Sequence, residues 1–192
     1  MEEGGQNAIP ANAFDLKLCH HPGTYVLVLV STVQHILQVG KLGELILMPG
    51  FYVYVGSAFG PGGLRARVSH HIKVTDHPRW HVDYVRATAG LDEVWYTYDS
   101  VSREHQWAGV FAQMKGALIP FHGFGSSDCH CQSHLFYFRS MPSGKSFRRK
   151  VRAKFCDHSA VIIERIGSAP VGSVDRRLKE QRLSGSKRGQ WK

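Results

Sequence analysis

An arginine and a histidine on one predicted helix, with a tyrosine on the strand before it, offer the chemistry needed to hold a phosphate. Arg67 and His71 are one helical turn apart and therefore share a face of the helix that the spacing predicts over residues 62–73. A guanidinium keeps its charge at any pH and offers planar, bidentate donors to a phosphoryl group. An imidazole can polarise a phosphate oxygen or accept a proton near neutral pH. Arg65 is a competing candidate on a different face of the helix.

A glycine-rich turn joins this helix to the strand that carries Tyr54. The run 50–57 is rich in β-branched and aromatic residues, which favours a strand, and Gly60-Pro61-Gly62-Gly63 follows it. So short a connection places the phenol of Tyr54 beside the guanidinium of Arg67. Tyr25 lies in a similar run over residues 23–30. Tyrosines in strands are ordinarily packing residues, so these two runs by themselves leave their chemical role open.

A second group of candidate ligands lies near residue 130. Thiolates and imidazoles suit Zn²⁺, and Cys129, Cys131 and His134 offer three of its four ligands. The fourth would come from His81, His122 or His130. The Cys-x-Cys gap is tighter than the usual two-residue gap, so packing or lining of a cleft is the alternative. The Gly-Ser-Ser-Asp turn before Cys129 can also present backbone N–H groups to a phosphate.

Basic residues are concentrated towards the C-terminal end. Of a net charge of +9, residues 145–192 hold 14 Lys and Arg against 4 Asp and Glu, whereas residues 1–144 hold 10 against 11. A polyanion is the natural partner, because each phosphate contact releases counterions. A solvated extension is the alternative. The nucleic-acid-binding candidates in the densest stretch are Arg148, Arg149, Lys150 and Arg152, and a second basic group spans residues 176–188.

Periodicity and turn residues predict an α+β domain. Helices are expected over 62–73 and 102–114, while residues 80–87 fit either a helix or a strand. We expect strands over 24–30, 44–47, 51–56, 94–98, 135–138 and 160–163, with the first paired to the second. No apolar run approaches the roughly 20 residues of a membrane span, and residues 1–20 lack the pattern of a secretion signal. We therefore expect a cytoplasmic protein without a membrane partner, nucleoid-associated or, in a eukaryote, nuclear.

Five short segments in this order and spacing resemble the GIY-YIG nuclease superfamily, and the resemblance covers residues 20–140. It is closest to an uncharacterised archaeal and bacterial branch that is sometimes fused to endonuclease III-type repair enzymes. It implies a small central antiparallel sheet flanked by helices, extra strands and a basic C-terminal extension. The segments are Gly23-Thr24-Tyr25, the strand from Tyr54 with its glycine turn, Arg67 to His71, Trp80-His81-Val82-Asp83-Tyr84, and Gly125 to Phe138.

The resemblance also implies roles for individual residues. Tyr25 and Tyr54 would orient the attacking water and the scissile phosphate, one of them as a candidate general base, with Arg67 and His71 beside them. Members of the superfamily hold one divalent cation, usually Mg²⁺ and here Mg²⁺ or Mn²⁺, on a glutamate of a later helix. Glu104 is the candidate here, because Gln106 and Gly109 stand where further glutamates are expected. Asp83 or Asp128 would substitute if Glu104 is not the ligand.

Two functions from different classes follow. The first is a metal-dependent endonuclease, with DNA a better candidate than RNA and DNA repair as a setting. The second is a nucleic-acid-binding module with the same fold and weakened catalysis. A zinc-held domain that bridges protein partners is a third hypothesis. The expected organisation is a lead-in over 1–20, a nuclease-like domain over 21–140 and a basic, partly disordered extension over 141–192.

Overall fold

A computed structural model describes residues 16–166, so the basic group at 176–188 lies outside the described residues. The strands are β1 (Thr24–Ser31), β2 (His35–Val39), β3 (Gly43–Leu47), β4 (Gly50–Ser57), β5 (Gly90–Thr97), β6 (Leu135–Phe138) and β7 (Ile162–Arg165). The helices are α1 (Gly63–Ile72), α2 (His81–Arg86), α3 (Glu104–Ala112) and α4 (Gly144–Lys154). The predicted α+β class is confirmed. In the described part of the chain, no helix has the length and apolarity needed to cross a membrane.

The central sheet has five strands in the order β6-β4-β1-β5-β7, and every neighbouring pair is antiparallel. The expected pairing of the first strand with residues 44–47 is wrong. β1 pairs with β4 and β5, whereas β3 pairs with β2, a strand that was not predicted. The physical reason lies in burial: β1 is buried along nearly its whole length, as a central strand must be, whereas β2 alternates between exposed and covered residues.

Side chains alternate across the sheet and form two hydrophobic cores. On one face, Tyr25 and Leu27 of β1 pack with Leu64 of α1 and Val82 of α2, and we call this the first core. On the other face, Val26 and Val28 pack with residues of α3 and α4, and we call this the second core. The alternation follows from the two-residue period of a strand. Consequently, Tyr25 and helix α4 lie on opposite faces of the sheet.

Helix α4 and strand β7 belong to the folded body, so packed structure continues beyond residue 140 into the predicted basic extension. Ser143 caps α4, because its hydroxyl accepts a hydrogen bond from the Ser146 N–H at 3.2 Å. Phe147 is fully buried and stacks on Phe111 of α3 with the ring centroids 4.5 Å apart. β7 pairs with β5. The basic side chains of α4 lie on its outer surface, whereas its apolar side chains pack in the second core.

We expect Phe147→Ala to lower the free energy of unfolding by about 3–5 kcal/mol, because the truncation leaves a cavity among aromatic rings. Arg149→Ala, on the exposed side of the same helix, should change it by less than about 0.5 kcal/mol. Urea denaturation followed by circular dichroism measures both. A loss below about 1 kcal/mol for Phe147→Ala would show that α4 is not docked on the sheet.

Candidate active site

The turn between β4 and α1 sets the helix against the sheet. Gly62 and Gly63 have φ angles of 81° and 55°, a left-handed region that favours glycine. At Gly63 there is also no room for a side chain, because a Cβ atom would lie 2.3 Å from the backbone oxygens of His20 and His21. The chain therefore reverses within a few residues. This geometry lays α1 over the first core, on the face that carries Tyr25.

A chain of hydrogen bonds runs from Tyr25 through His71 to Asp83. The Tyr25 hydroxyl lies 3.0 Å from His71 Nε2, and His71 Nδ1 lies 2.9 Å from Asp83 Oδ1. An ionised carboxylate only accepts hydrogen bonds, so Nδ1 carries the proton and Nε2 accepts from the phenol. Burial lowers the pKa of His71, although Asp83 acts in the opposite direction. The lowered pKa keeps the imidazole neutral. All three side chains are buried.

Asp83 is the most heavily bonded carboxylate of the site. Its Oδ2 accepts from the backbone N–H groups of Arg79 and Trp80 at 2.9 and 3.0 Å and lies 3.1 Å from His70 Nε2. Burial alone would raise the pKa of Asp83. The hydrogen bonds from His71, from these two N–H groups and from His70 outweigh burial and hold the pKa well below its usual range. Both oxygens of Asp83 are therefore engaged, which makes it a poor substitute ligand for a cation.

Both phenols remain protonated in this environment. Burial, followed by the neighbouring Tyr54, raises the pKa of Tyr25 well above its ordinary value, although Arg67 opposes the shift. Burial and then the charge of Glu104 raise the pKa of Tyr54 in the same way. The two rings lie 6.5 Å apart, centroid to centroid. A phenol in this state needs a partner to take its proton, and Tyr25 has one in His71.

Arg67 is half-buried, and its guanidinium lies 4.1 Å from the centre of the Trp80 ring. Trp80 also packs edge-on against His71, with the centroids 5.3 Å apart. Among residues 16–166, no hydrogen bond or ion pair engages the Arg67 side chain. Its positive charge nevertheless acts to lower the pKa of Tyr25, Tyr54 and His71. The stacking holds the guanidinium beside the tyrosines while its donors stay available to an anion.

Glu104 begins helix α3 at the rim of this cluster. The preceding residue anchors the helix: the Arg103 N–H donates to the Thr24 hydroxyl at 2.8 Å, and its guanidinium donates to Asp99 at 2.9 Å. The Glu104 side chain is 20% exposed, and its charge is the largest electrostatic influence on Tyr54. Asp128 acts on Tyr54 more weakly. The charge of Glu104 thus raises the pKa of Tyr54, while its Oε1 atom lies 3.4 Å from His134 Nδ1.

The cysteine-rich loop contributes to a group of potential metal ligands that differs from the one expected. His105, Cys129 and His134 place their ligand atoms within 4.8 Å of one another. Cys131 packs instead against the second core. Burial and then the adjacent Cys129 raise the pKa of its thiol to about 11. His105 was missed because 24 positions separate it from Cys129 and no local spacing connects them. The three histidines considered for the fourth ligand do not belong to this group.

The predicted nucleic-acid-binding residues do not converge with the tyrosines. Arg65 is exposed on α1, and its Nη1 lies 3.2 Å from His20 Nε2. The remaining residues of this set lie on α4, which packs on the opposite face of the sheet. Their contact with a polymer stays a prediction. These predicted residues of α4 are Arg148, Arg149, Lys150 and Arg152.

A family profile described as domain of unknown function DUF123 matches residues 24–156. The chain belongs to this family. DUF123 is a family of GIY-YIG-like fold, and the central sheet with its flanking helices agrees with that assignment. Neither the curated proteins nor the solved structures yielded a match. The matched segment of this DUF123 domain includes every residue of the tyrosine cluster and all of α4.

We expect Asp83→Asn to destabilise the DUF123 domain by roughly 2–3 kcal/mol at pH 7, because the hydrogen bonds to a charged acceptor are lost. The folded-state pKa of Asp83 is lowered, so its contribution is present above the unfolded pKa of about 4 and disappears as the pH falls towards the folded value. The variant should therefore lose less stability than wild type below pH ~4. Urea titrations across pH measure this difference.

The exposed Asp76 in the loop before α2 is the matched control. Asp76→Asn should leave the stability at pH 7 and its acid dependence unchanged. Equal behaviour of the two variants would mean that the carboxylate of Asp83 is not held in its ionised form by its neighbours.

Proposed function

We propose that this DUF123 domain is a metal-dependent nucleic-acid phosphodiesterase, an endonuclease that prefers DNA to RNA. The observation that carries the proposal is the convergence of Tyr54 and Arg67 on the hydrogen-bonded chain from Tyr25 through His71 to Asp83. Two phenols, a guanidinium and an oriented imidazole in one cluster are suited to activating a water molecule beside a phosphodiester. Packing alone does not require a buried carboxylate to orient an imidazole towards a phenol.

In this proposal, Tyr25 relays a proton. The raised pKa of its phenol prevents it from acting as a base at neutral pH without help. His71 Nε2 takes the phenolic proton while the phenol oxygen takes one from the attacking water, and Asp83 stabilises the imidazolium that forms. The roles match those of a histidine and aspartate that activate a hydroxyl nucleophile, but here the hydroxyl acts on water. Tyr54, whose ring centroid lies 6.5 Å from that of Tyr25, would position the water and the phosphate.

Arg67 neutralises the charge that develops on the phosphoryl oxygens. Its guanidinium is pre-positioned over Trp80, so little side-chain entropy is lost when it binds the anion. A preorganised donor of this kind is worth about 10²–10³ in rate.

Glu104 is the residue that would hold a divalent cation. Its carboxylate is partly exposed and its charge raises the pKa of Tyr54, and oxygen donors are the ligands that Mg²⁺ and Mn²⁺ prefer. Mg²⁺ commonly binds through one or two carboxylates, with water and substrate phosphate as the other ligands, so a single glutamate fits. The cation would stabilise the charge on the leaving oxygen.

A catalytically weakened binding module is the second candidate. The observation in its favour is that α3 carries only one carboxylate. The side-chain amide oxygen of Gln106 accepts a hydrogen bond from the Arg103 guanidinium at 3.1 Å, and Gly109 has no side chain. Such a module would keep the phosphate-binding Arg67 and bind nucleic acid in a salt-sensitive manner.

Arg67→Ala should reduce cleavage by at least about 100-fold, because the guanidinium acts chiefly in the transition state. Plasmid, flap and single-stranded DNA, together with RNA, are incubated with Mg²⁺ or Mn²⁺ and resolved on gels. Lys73→Ala removes an exposed cation at the end of the same helix and should retain near-normal rates. If wild-type protein binds these substrates in low salt yet cuts none of them, the binding module replaces the nuclease.

The rate should decline in acid, because His71 must be neutral to accept the phenolic proton. Its pKa is lowered, so kcat/KM is expected to hold at about pH 6.5 and to fall only below it. Asp83→Asn removes the group that raises the pKa of His71, which should shift the acid limb to lower pH while the maximal rate falls about 10²–10⁴-fold.

Tyr25→Phe, which keeps the ring and removes the hydroxyl, should abolish the rate at every pH. A pH–rate profile that is identical in wild type and Asp83→Asn would exclude the proton relay.

A further inference from the structure

Two histidines and a cysteine from distant parts of the chain meet beside helix α3. His105 lies on the exposed side of α3, Cys129 is half-buried in the loop that precedes β6, and His134 is buried at the end of that loop. The Cys129 Sγ atom is 3.5 Å from His134 Nε2, and the two imidazole centroids are 5.9 Å apart. Nothing in the mechanism proposed above uses the thiol or the His105 ring.

The loop that carries two of these ligands is held rigidly by backbone hydrogen bonds. The His134 N–H donates to the Phe124 carbonyl at 2.8 Å, and the Val55 N–H of β4 donates to the His134 carbonyl at 2.9 Å. The Cys129 N–H donates to the Ser126 carbonyl at 3.3 Å. Two groups fixed by backbone contacts lose little entropy when they bind a ligand. The backbone positions of Cys129 and His134 are therefore fixed by the fold.

The imidazole of His134 has the environment of a metal ligand. Only 1% of the residue is exposed, and its Nδ1 is buried without a hydrogen bond in the described structure. The nearest acidic atom is Glu104 Oε1, 3.4 Å away. In metal sites the nitrogen that does not bind the ion typically donates to a carboxylate, which fixes the tautomer. A metal at Nε2 would place the proton on Nδ1, facing Glu104.

We propose that His105, Cys129 and His134 form a binding site for Zn²⁺, with the fourth coordination position open to water. The ligand atoms of a tetrahedral zinc site lie about 3.3–3.8 Å apart, so the 3.5 Å between the thiol and Nε2 already fits. The exposed His105 needs only a small side-chain adjustment to join them. One thiolate and two imidazoles select Zn²⁺ over Mg²⁺, which prefers oxygen ligands. The zinc ligands thus differ in type from the carboxylate proposed to hold Mg²⁺, although that carboxylate, Glu104, also lies 3.4 Å from His134 Nδ1.

The structure exchanges one ligand of the set expected from the sequence. Cys131 packs against the second core and its thiol also contacts Cys129, but it does not belong to the group of three ligand atoms, whereas His105 arrives from another element. This exchange makes the proposal specific, because Cys131→Ser should leave the site intact. It does not rest on nuclease activity, since a binding module of the same fold would carry the same three ligands.

The test uses the full chain, expressed without a polyhistidine tag and freed of loosely bound metal by gel filtration. Inductively coupled plasma mass spectrometry should find about one zinc per chain in wild type. Cys129→Ser and His105→Ala should lose most of it, while Cys131→Ser and the exposed-thiol control Cys156→Ser should retain it. Circular dichroism confirms that each variant is folded, and His105 is exposed, so its truncation leaves the fold intact.

Replacement with Co²⁺ gives a second readout that does not depend on activity. Wild type and Cys131→Ser should show the intense visible bands of tetrahedral Co²⁺ and a thiolate charge-transfer band, and Cys129→Ser should lack the latter. Zinc at background level after refolding with excess Zn²⁺, or full zinc in Cys129→Ser, overturns the proposal. If wild type takes up no zinc and still cleaves, the zinc site is excluded and the phosphodiesterase is kept. If wild type binds zinc and does not cleave, the zinc site is kept and the phosphodiesterase is excluded.

Discussion

The buried carboxylate of Asp83 is the interaction on which the site depends. It accepts hydrogen bonds from His71 and from the N–H groups of Arg79 and Trp80, and so ties the end of α1 to the start of α2. An ionised group that is removed from water must be satisfied in this way, because an unpaired one would cost several kcal/mol. One carboxylate therefore sets the tautomer of His71 and also positions Trp80, on which Arg67 stacks.

The pleat of the sheet divides the molecule into two chemically different faces. Tyr25 and Tyr54 project into the first core. The valines that alternate with them along β1 and β4 project into the second core with α3 and α4. Glu104 is the exception that links the faces: it begins a second-core helix, yet acts on Tyr54. The hydrogen bond from the Arg103 N–H to the Thr24 hydroxyl explains this, because it holds the start of α3 against the first residue of β1, next to Tyr25.

Much of the cluster was predictable, because its residues lie in segments with local patterns. The helical spacing of Arg67 and His71 places them on one face. The five segments resemble the GIY-YIG superfamily, and the family that matches the chain has a GIY-YIG-like fold. The pairing of β1 was not predictable. The alternation of exposed and covered residues in β2 is a weak sequence signal, and because β2 was not predicted, β3 was assigned to β1 instead of to β2. The contact between His70 and Asp83 was not predictable either, because the two residues belong to separate helices.

By itself, the sequence determined the fold class, the helix that carries Arg67 and His71, and the chemical types available near residue 130. Those features depend on neighbours within a few positions, where strand and helix periods act directly. Only the tertiary structure decided that Asp83 orients His71, that Trp80 supports Arg67, and that His105 rather than Cys131 joins Cys129 and His134. Each of these contacts joins separate elements, and their positions follow from how two cores pack on opposite faces of one sheet.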